Sequence, residues 1–169
     1  AANYEMALFD CLNHNFDEAI EKLDTSLKYN TDHTKASNLK AVILRKLGKS
    51  TDAQDILEKV RAYDPLDMYS AVEMLNFGGS PKDLNEIFGK KPENYLDVAY
   101  DYIAAGFYHE AINVLEMSQH EYPLYDYVKA YCLHKLGSDG AALQTLYSAE
   151  ARDTGYCFPA RLDDIPVLE

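Results

Sequence analysis

The sequence has no tryptophan, no long apolar run and few basic residues for its length. Its 169 residues include 16 lysines and arginines against 28 aspartates and glutamates, a net charge of −12. Such a surface repels nucleic-acid phosphates and anionic lipid heads, so we expect neither as a partner. No stretch approaches the roughly 20 apolar residues that a membrane-spanning helix needs, and no signal peptide is expected.

Cysteine is scarce as well. Cys11, Cys132 and Cys157 are odd in number, lie far apart and form no Cys-x-x-Cys motif. Scattered, unpaired cysteines are typical of a reducing compartment, so we expect a cytoplasmic protein.

The common catalytic and metal-binding motifs are missing. Neither His109-Glu110 nor His120-Glu121 is followed by a histidine at the zincin spacing. Cys132 and His134 lie two residues apart on a predicted helix, so they point to different sides and cannot hold one metal. We therefore expect no enzymatic activity, no catalytic residue, no metal and no cofactor.

What the sequence does contain is an internal repeat. Ala53 follows Ala19 by 34 residues, the period of tetratricopeptide hairpins. A second alanine lies twelve positions before each of these alanines, and a leucine lies four positions after. The same pattern occurs four times, as Ala7-Ala19-Leu23, Ala41-Ala53-Leu57, Ala99-Ala111-Leu115 and Ala130-Ala142-Leu146. Small side chains at these points let two helices approach closely.

Glycine marks the end of the first helix in most of the repeats. Gly48, Gly106 and Gly137 follow apolar stretches at equivalent positions, where a left-handed turn is expected. His14 stands there in the first repeat, so we expect a less regular turn.

The third hairpin is predicted to be short. Ala53 and Ala111 are 58 residues apart, which is more than one 34-residue period and less than two, so the hairpin between them has fewer residues than the others. Its first helix is expected over Met68–Phe77. Ser80 and Pro81 then supply an N-cap and a first helical residue for a second helix that ends near Gly89.

These patterns predict an all-α fold, a tetratricopeptide-like α-solenoid of about five helical hairpins with the third shortened and a partial C-terminal helix. We expect a single repeat domain over residues 1–169. The predicted hairpins span about 1–31, 32–65, 66–91, 92–123 and 124–154, followed by a partial unit, 155–169. In that unit Phe158 and Pro159 should begin a helix. Its apolar side should either cap the array near Leu146 or pack against another molecule. Weak self-association through this end is therefore expected.

Four stretches carry a resemblance to a known family: Lys35–Gly48, Tyr63–Asp67, Tyr95–Tyr102 and Cys157–Leu162. In this order they resemble the repeat region of large bacterial proteins in which a β-sandwich domain, similar to carbohydrate-active folds, precedes tetratricopeptide repeats. The Cys-Phe-Pro-x-Arg-Leu segment is the most specific part, whereas Pro166 departs from the family. The resemblance implies a helical region that packs beside a sugar-related domain.

The likeness to tetratricopeptide arrays also implies a binding surface, because these arrays hold extended peptides in a concave groove lined by the first helix of each hairpin. The implied partner-binding residues are Tyr4, Asn38, Arg45, Tyr100, Tyr127, Tyr131 and His134. Tyrosine is suited to such contacts, since it offers a large apolar face and a hydroxyl at its edge. The alternative is that these tyrosines fill gaps between neighbouring hairpins.

The sequence thus predicts a non-catalytic module for protein–protein interaction, or a scaffold, that binds a polypeptide partner or its own neighbouring domain. A second interpretation belongs to a different class. It makes the chain a structural or regulatory repeat region of a carbohydrate-active enzyme.

Overall fold

The computed structural model describes residues 2–89, 91–150, 152 and 164–168 of the chain. These residues form helices joined by short turns, without a strand among them. They group into two compact units, unit 1 (Ala1–Lys90) and unit 2 (Lys91–Glu169). The predicted all-α class is confirmed, while the single continuous domain stays a prediction. Of the helices described, none is long and apolar enough to cross a bilayer.

Unit 1 contains three helical hairpins. Their helices are α1 Ala2–Leu12, α2 Phe16–Tyr29, α3 Thr34–Lys46, α4 Ser50–Tyr63, α5 Met68–Met74 and α6 Pro81–Phe88. The third hairpin is shortened, as predicted, because α5 has 7 residues and α6 has 8. The sequence predicted one helix over Met68–Phe77, whereas the last part, Leu75–Phe77, is a 3-10 turn.

Unit 2 contains two hairpins and a terminal helix. Its helices are α7 Pro92–Ala104, α8 Tyr108–Met117, α9 Pro123–Lys135, α10 Asp139–Glu150 and α11 Ile165–Leu168. The four residues of α11 belong to the predicted partial C-terminal helix, and Pro166 lies in their first turn, where the missing N–H of proline is tolerated. The predicted helix start at Phe158–Pro159 and the segment Cys157–Leu162 lie outside the described residues.

The repeated alanines lie at the helix crossings of both units. Ala19 and Ala53 in unit 1 and Ala99 and Ala111 in unit 2 are each 0% exposed. A methyl group fills the space between two helices here, and larger side chains would push the axes apart. The repeat position inferred from the sequence is therefore the position of close helix contact.

Three glycines end the first helices in the left-handed conformation that the sequence predicted. The φ angles of Gly48, Gly106 and Gly137 are 78°, 75° and 75°. Because this region disfavours a β-carbon, glycine is the residue that adopts it at least cost.

His14 is in the same conformation, with a φ of 59°. The backbone N–H of Asn15 donates to the Asp10 carbonyl at 2.9 Å, and the equivalent bond of the next repeat, from Lys49 to Leu44, is also 2.9 Å. The expectation of a less regular first turn was therefore wrong. The bonds that end the helix fix this backbone, and the histidine accepts a strain of roughly 1–2 kcal/mol.

Cys11 and Cys132 are free thiols buried in unit 1 and unit 2, with 1% and 0% of their surface exposed. Burial raises the pKa of both thiols to about 12, and Asp10 adds to this effect at Cys11. Both thiols are protonated at neutral pH and contribute to packing.

Candidate functional site

The predicted binding residues lie on the first helices of the hairpins, which are α1, α3 and α5 in unit 1 and α7 and α9 in unit 2. Tyr4, on α1, is half-buried, and its ring centroid lies 5.2 Å from that of His33. His33 precedes α3, and its Nδ1 atom is 3.3 Å from the Ser26 hydroxyl. Desolvation, with a smaller effect from Lys35, lowers the pKa of His33. Tyr4 thus packs against the start of the next hairpin.

Arg45 connects α3 to α5. Its Nε atom donates to Glu73 Oε2 at 2.7 Å, and its Nη2 atom donates to Glu73 Oε1 at 3.1 Å. The Glu73 side chain is 1% exposed, so the carboxylate lies inside the protein. A bidentate pair of this kind holds the two helices at a defined distance.

Asn38 makes a second connection between the same hairpins. Its Nδ2 atom donates to Asp67 Oδ1 at 2.8 Å. Asp67 is the N-cap of α5 and also accepts a hydrogen bond from the backbone N–H of Ser70 at 2.7 Å. Because Asn38 is 2% exposed, its side chain is placed to position α5 from within unit 1.

In unit 2, Tyr100 contacts the chain's own C-terminal segment. The Tyr100 hydroxyl on α7 donates to Asp164 Oδ1, and the two residues are 7% and 1% exposed. The helix that follows, α11, packs against α9. Residues 164–168 therefore contact both first helices of this unit.

Tyr127 and Tyr131 lie one helical turn apart on α9 and are both half-buried. The Tyr131 ring centroid is 6.4 Å from that of Tyr108, and the Lys135 ammonium lies 5.2 Å from the Tyr131 ring. Burial raises the pKa of Tyr131. Both tyrosines keep part of their surface exposed.

His134 is the most exposed of the predicted residues, with 67% of its side chain accessible. Its Nδ1 atom is 2.7 Å from Asp139 Oδ1 at the start of α10. This contact joins the two helices of one hairpin at the surface.

The aromatic residues that join α7 to α9 were not among the predicted binding residues. The Tyr125 hydroxyl donates to the Pro92 carbonyl at 2.7 Å, and the Tyr95 and Tyr125 ring centroids are 6.4 Å apart. Tyr125 is 4% exposed, and burial raises its pKa. Tyr95 and Tyr125 each lie near the start of a first helix, which is the signal that could have identified them.

Two cavities lie away from the predicted binding residues, and Tyr125 lines the first of them. One, of about 310 Å³, lies between the end of α8 and α9 in unit 2 and is lined in part by Asp126, Lys129 and Arg152. Asp126 forms ion pairs with Lys129 at 3.1 Å and Arg152 at 2.6 Å, so each of these two cations already contacts a carboxylate. The other, of about 320 Å³, is lined in part by Lys40, which pairs with Asp24. Over the described part of the chain, no group of three or more His, Cys, Asp or Glu side chains is arranged to hold a metal.

Two family models match the chain, one in each unit. The model for the Psidin N-terminal tetratricopeptide repeats region matches residues 6–77, and a tetratricopeptide repeat model matches residues 96–156. A comparison with curated proteins finds no match. The predicted context, a large bacterial protein with an N-terminal β-sandwich, stays a prediction.

Among solved structures, the chain is similar to one described as the crystal structure of MamA protein. The two are 13% identical over 95% of this chain and 100% of that chain, with a TM-score of 0.37. At this low TM-score no site is transferred from that structure. Both units are similar to tetratricopeptide repeats, as the two family matches and their own helical hairpins show.

Proposed function

We propose that this chain is a non-catalytic interaction module that binds a polypeptide partner on the first helices of unit 2. We call this binding area the tyrosine surface and define it by Tyr100, Tyr127 and Tyr131. The observation that supports it is the chain's own segment 164–168, which contacts α7 through Tyr100 and packs against α9.

The contacts of this segment suggest the chemistry of the partner. A tyrosine hydroxyl that donates to a carboxylate forms a charge-assisted hydrogen bond, which is stronger than one between neutral groups. Ile165, the next residue, is 51% exposed, so its apolar side chain is only partly covered. A peptide with a carboxylate followed by aliphatic side chains, and with more residues in contact, would displace it.

Unit 1 has a supporting role in this proposal. Its predicted binding residues Asn38 and Arg45 are engaged by Asp67 and Glu73 of the following hairpin, which leaves them poorly placed to bind a partner. The buried, unpaired thiols of Cys11 and Cys132 support a reducing compartment such as the cytoplasm.

The test uses the full chain and a fluorescent peptide with the sequence of residues 162–169. The variant Asp164→Ala loses the carboxylate that Tyr100 binds, so it should bind the added peptide more tightly than the wild type does. Adding Tyr100→Phe should weaken that binding about ten- to a hundredfold, because one charge-assisted hydrogen bond contributes roughly 1.5–3 kcal/mol.

The matched control is Tyr63→Phe in the Asp164→Ala background, since Tyr63 is an exposed tyrosine of unit 1. It should leave peptide affinity unchanged. If Asp164→Ala does not bind the peptide at about 1 mM, or if Tyr100→Phe has no effect, the tyrosine surface is not the binding site.

A further inference from the structure

One position of the repeat is buried in three second helices and exposed in the fourth. The leucine four residues after the repeat alanine is Leu23 in α2, Leu57 in α4 and Leu115 in α8, and these are 0%, 0% and 2% exposed. The equivalent Leu146 in α10 is 39% exposed. Two neighbours on the same side of this helix, Leu143 and Tyr147, are 51% and 62% exposed. We call Leu143, Leu146 and Tyr147 the α10 face.

Unit 1 shows what covers this position elsewhere. Leu57 belongs to a buried cluster, against which Met74 and Phe77 of the next hairpin pack. Ile20, on α2, packs against the same cluster from the preceding hairpin, and Leu143 is the α10 residue equivalent to Ile20. A second helix therefore buries these residues against the hairpin that follows it.

Helix α1 also exposes apolar side chains, at a position that other first helices bury. The residue two positions after the first-helix alanine is Ile43 in α3 and Cys132 in α9, and both are 0% exposed. In α1 this residue is Phe9, which is 66% exposed, and Met6 and Leu12 beside it are 51% and 46% exposed. We call Met6, Phe9 and Leu12 the α1 face.

The first helix of unit 2 differs at this position. Its equivalent residue is Asp101, which is charged and half-buried. An apolar residue at this position is therefore not a requirement of every first helix. In α3 and α9 the residue at this position is buried, and a second helix packs against each of them. Helix α2 packs against α3, and α8 packs against α9. Phe9 on α1 is apolar, like the residue of a first helix against which a second helix packs.

We propose that the α10 face of one copy of this chain packs on the α1 face of a second copy. The contact repeats between copies the arrangement that joins α2 to α3 and α8 to α9 within the chain. Each face is one half of that arrangement, and one chain carries both halves. The two faces differ, so the association is head to tail.

The small size of the faces and the charge of the chain predict a weak, salt-dependent contact. Three side chains on each side bury far less surface than a stable interface does. Each copy carries a net charge of −12, so copies repel one another at low salt. Association should strengthen when the salt concentration rises, because screening shortens the range of this repulsion.

Sedimentation velocity on the full chain tests this inference, which does not depend on the tyrosine surface. From about 10 μM to about 1 mM protein, the weight-average sedimentation coefficient of the wild type should rise, and it should rise further at about 0.5 M salt. The variants Phe9→Asp and Leu146→Asp should each stay monomeric alone. Their equimolar mixture should form dimers and stop there, because each variant keeps one intact face.

Met6→Asp and Leu143→Asp form a second pair that should behave in the same way, and circular dichroism should show all four variants to be folded because the changed residues are exposed. Tyr63→Asp, at an exposed residue outside both faces, should associate like the wild type. A wild type that is monomeric throughout would overturn the inference. So would a folded Phe9→Asp or Leu146→Asp that associates alone, since this indicates pairing of identical faces, or a mixture that does not dimerise.

Discussion

In unit 1 the polar residues on the first helices contact the next hairpin, whereas in unit 2 the tyrosines on the first helices contact the C-terminal segment or remain partly exposed. Arg45 and Asn38 are held by Glu73 and Asp67 on or beside α5. Tyr100 binds Asp164, which is 64 residues further along the chain. The repeat is the same in both units, yet the side chains on its first helices have different partners.

The difference shows what the repeat position determines and what it leaves open. A position in the repeat sets the direction of a side chain, because the helices of each hairpin pack through the same alanines. The residue that meets this side chain comes from another hairpin or from the end of the chain. Surface residues of a repeat protein therefore become structural or available for binding according to their neighbours.

Among the changes that test this comparison, the largest change in the free energy of unfolding is expected at Arg45. Changing Arg45 to Leu removes the cation that faces the buried Glu73 carboxylate, so the free energy of unfolding should fall by about 3–5 kcal/mol. Urea unfolding followed by circular dichroism measures this change. The double variant Arg45→Leu/Glu73→Leu should recover much of the loss, because neither charge is then buried alone. A loss below about 1 kcal/mol would mean that the pair acts as a surface ion pair.

A smaller effect tests the part of the comparison that the two units share. Ala53→Leu in unit 1 and Ala111→Leu in unit 2 should each lower the free energy of unfolding by about 1–3 kcal/mol, because both alanines lie at close helix crossings. The matched controls are Ala62→Leu and Ala104→Leu, at exposed positions of α4 and α7, which should change it by no more than about 0.5 kcal/mol. If only one unit responds, the two units do not share the same crossing geometry.

The smallest effect concerns the turn that ends α1. His14→Gly should raise the free energy of unfolding by about 0.5 kcal/mol, since relief of left-handed strain is partly offset by the greater freedom of glycine in the unfolded chain. The reverse change in unit 2, Gly137→His, should lower it by a similar or larger amount, because Gly137 has a φ of 75°. Thermal melts under identical conditions compare the two variants. A destabilised His14→Gly would show that contacts of the histidine ring, such as the one with Phe16 at 6.0 Å, outweigh the strain.

The sequence predicted the fold through features that depend on local sterics. The 34-residue spacing of Ala19 and Ala53 and the glycines that end first helices follow from close packing and from allowed backbone angles. His14 was misjudged because residue identity alone does not show that the helix-ending hydrogen bonds dominate. Their preserved length makes the first turn like the others.

The candidate site was predicted less completely, because its contacts join residues far apart in sequence. Glu73 lies 28 residues after Arg45, and Asp164 lies 64 residues after Tyr100. Arg45 on α3 and Glu73 on α5 have opposite charges, and this could have suggested the first pair. Nothing in the repeat pattern indicates the second, since Asp164 lies outside the repeats that the alanines define.

The two buried thiols give each unit its own reporter of opening. Cys11 is in unit 1 and Cys132 is in unit 2, and each has a pKa of about 12 because burial disfavours the thiolate. A thiol reagent in neutral solution therefore reacts with either cysteine only after the surrounding helices separate. With Cys157 changed to Ser, the alkylation rates of the remaining two cysteines would measure the local opening of the two units independently, in a single sample and without an added label.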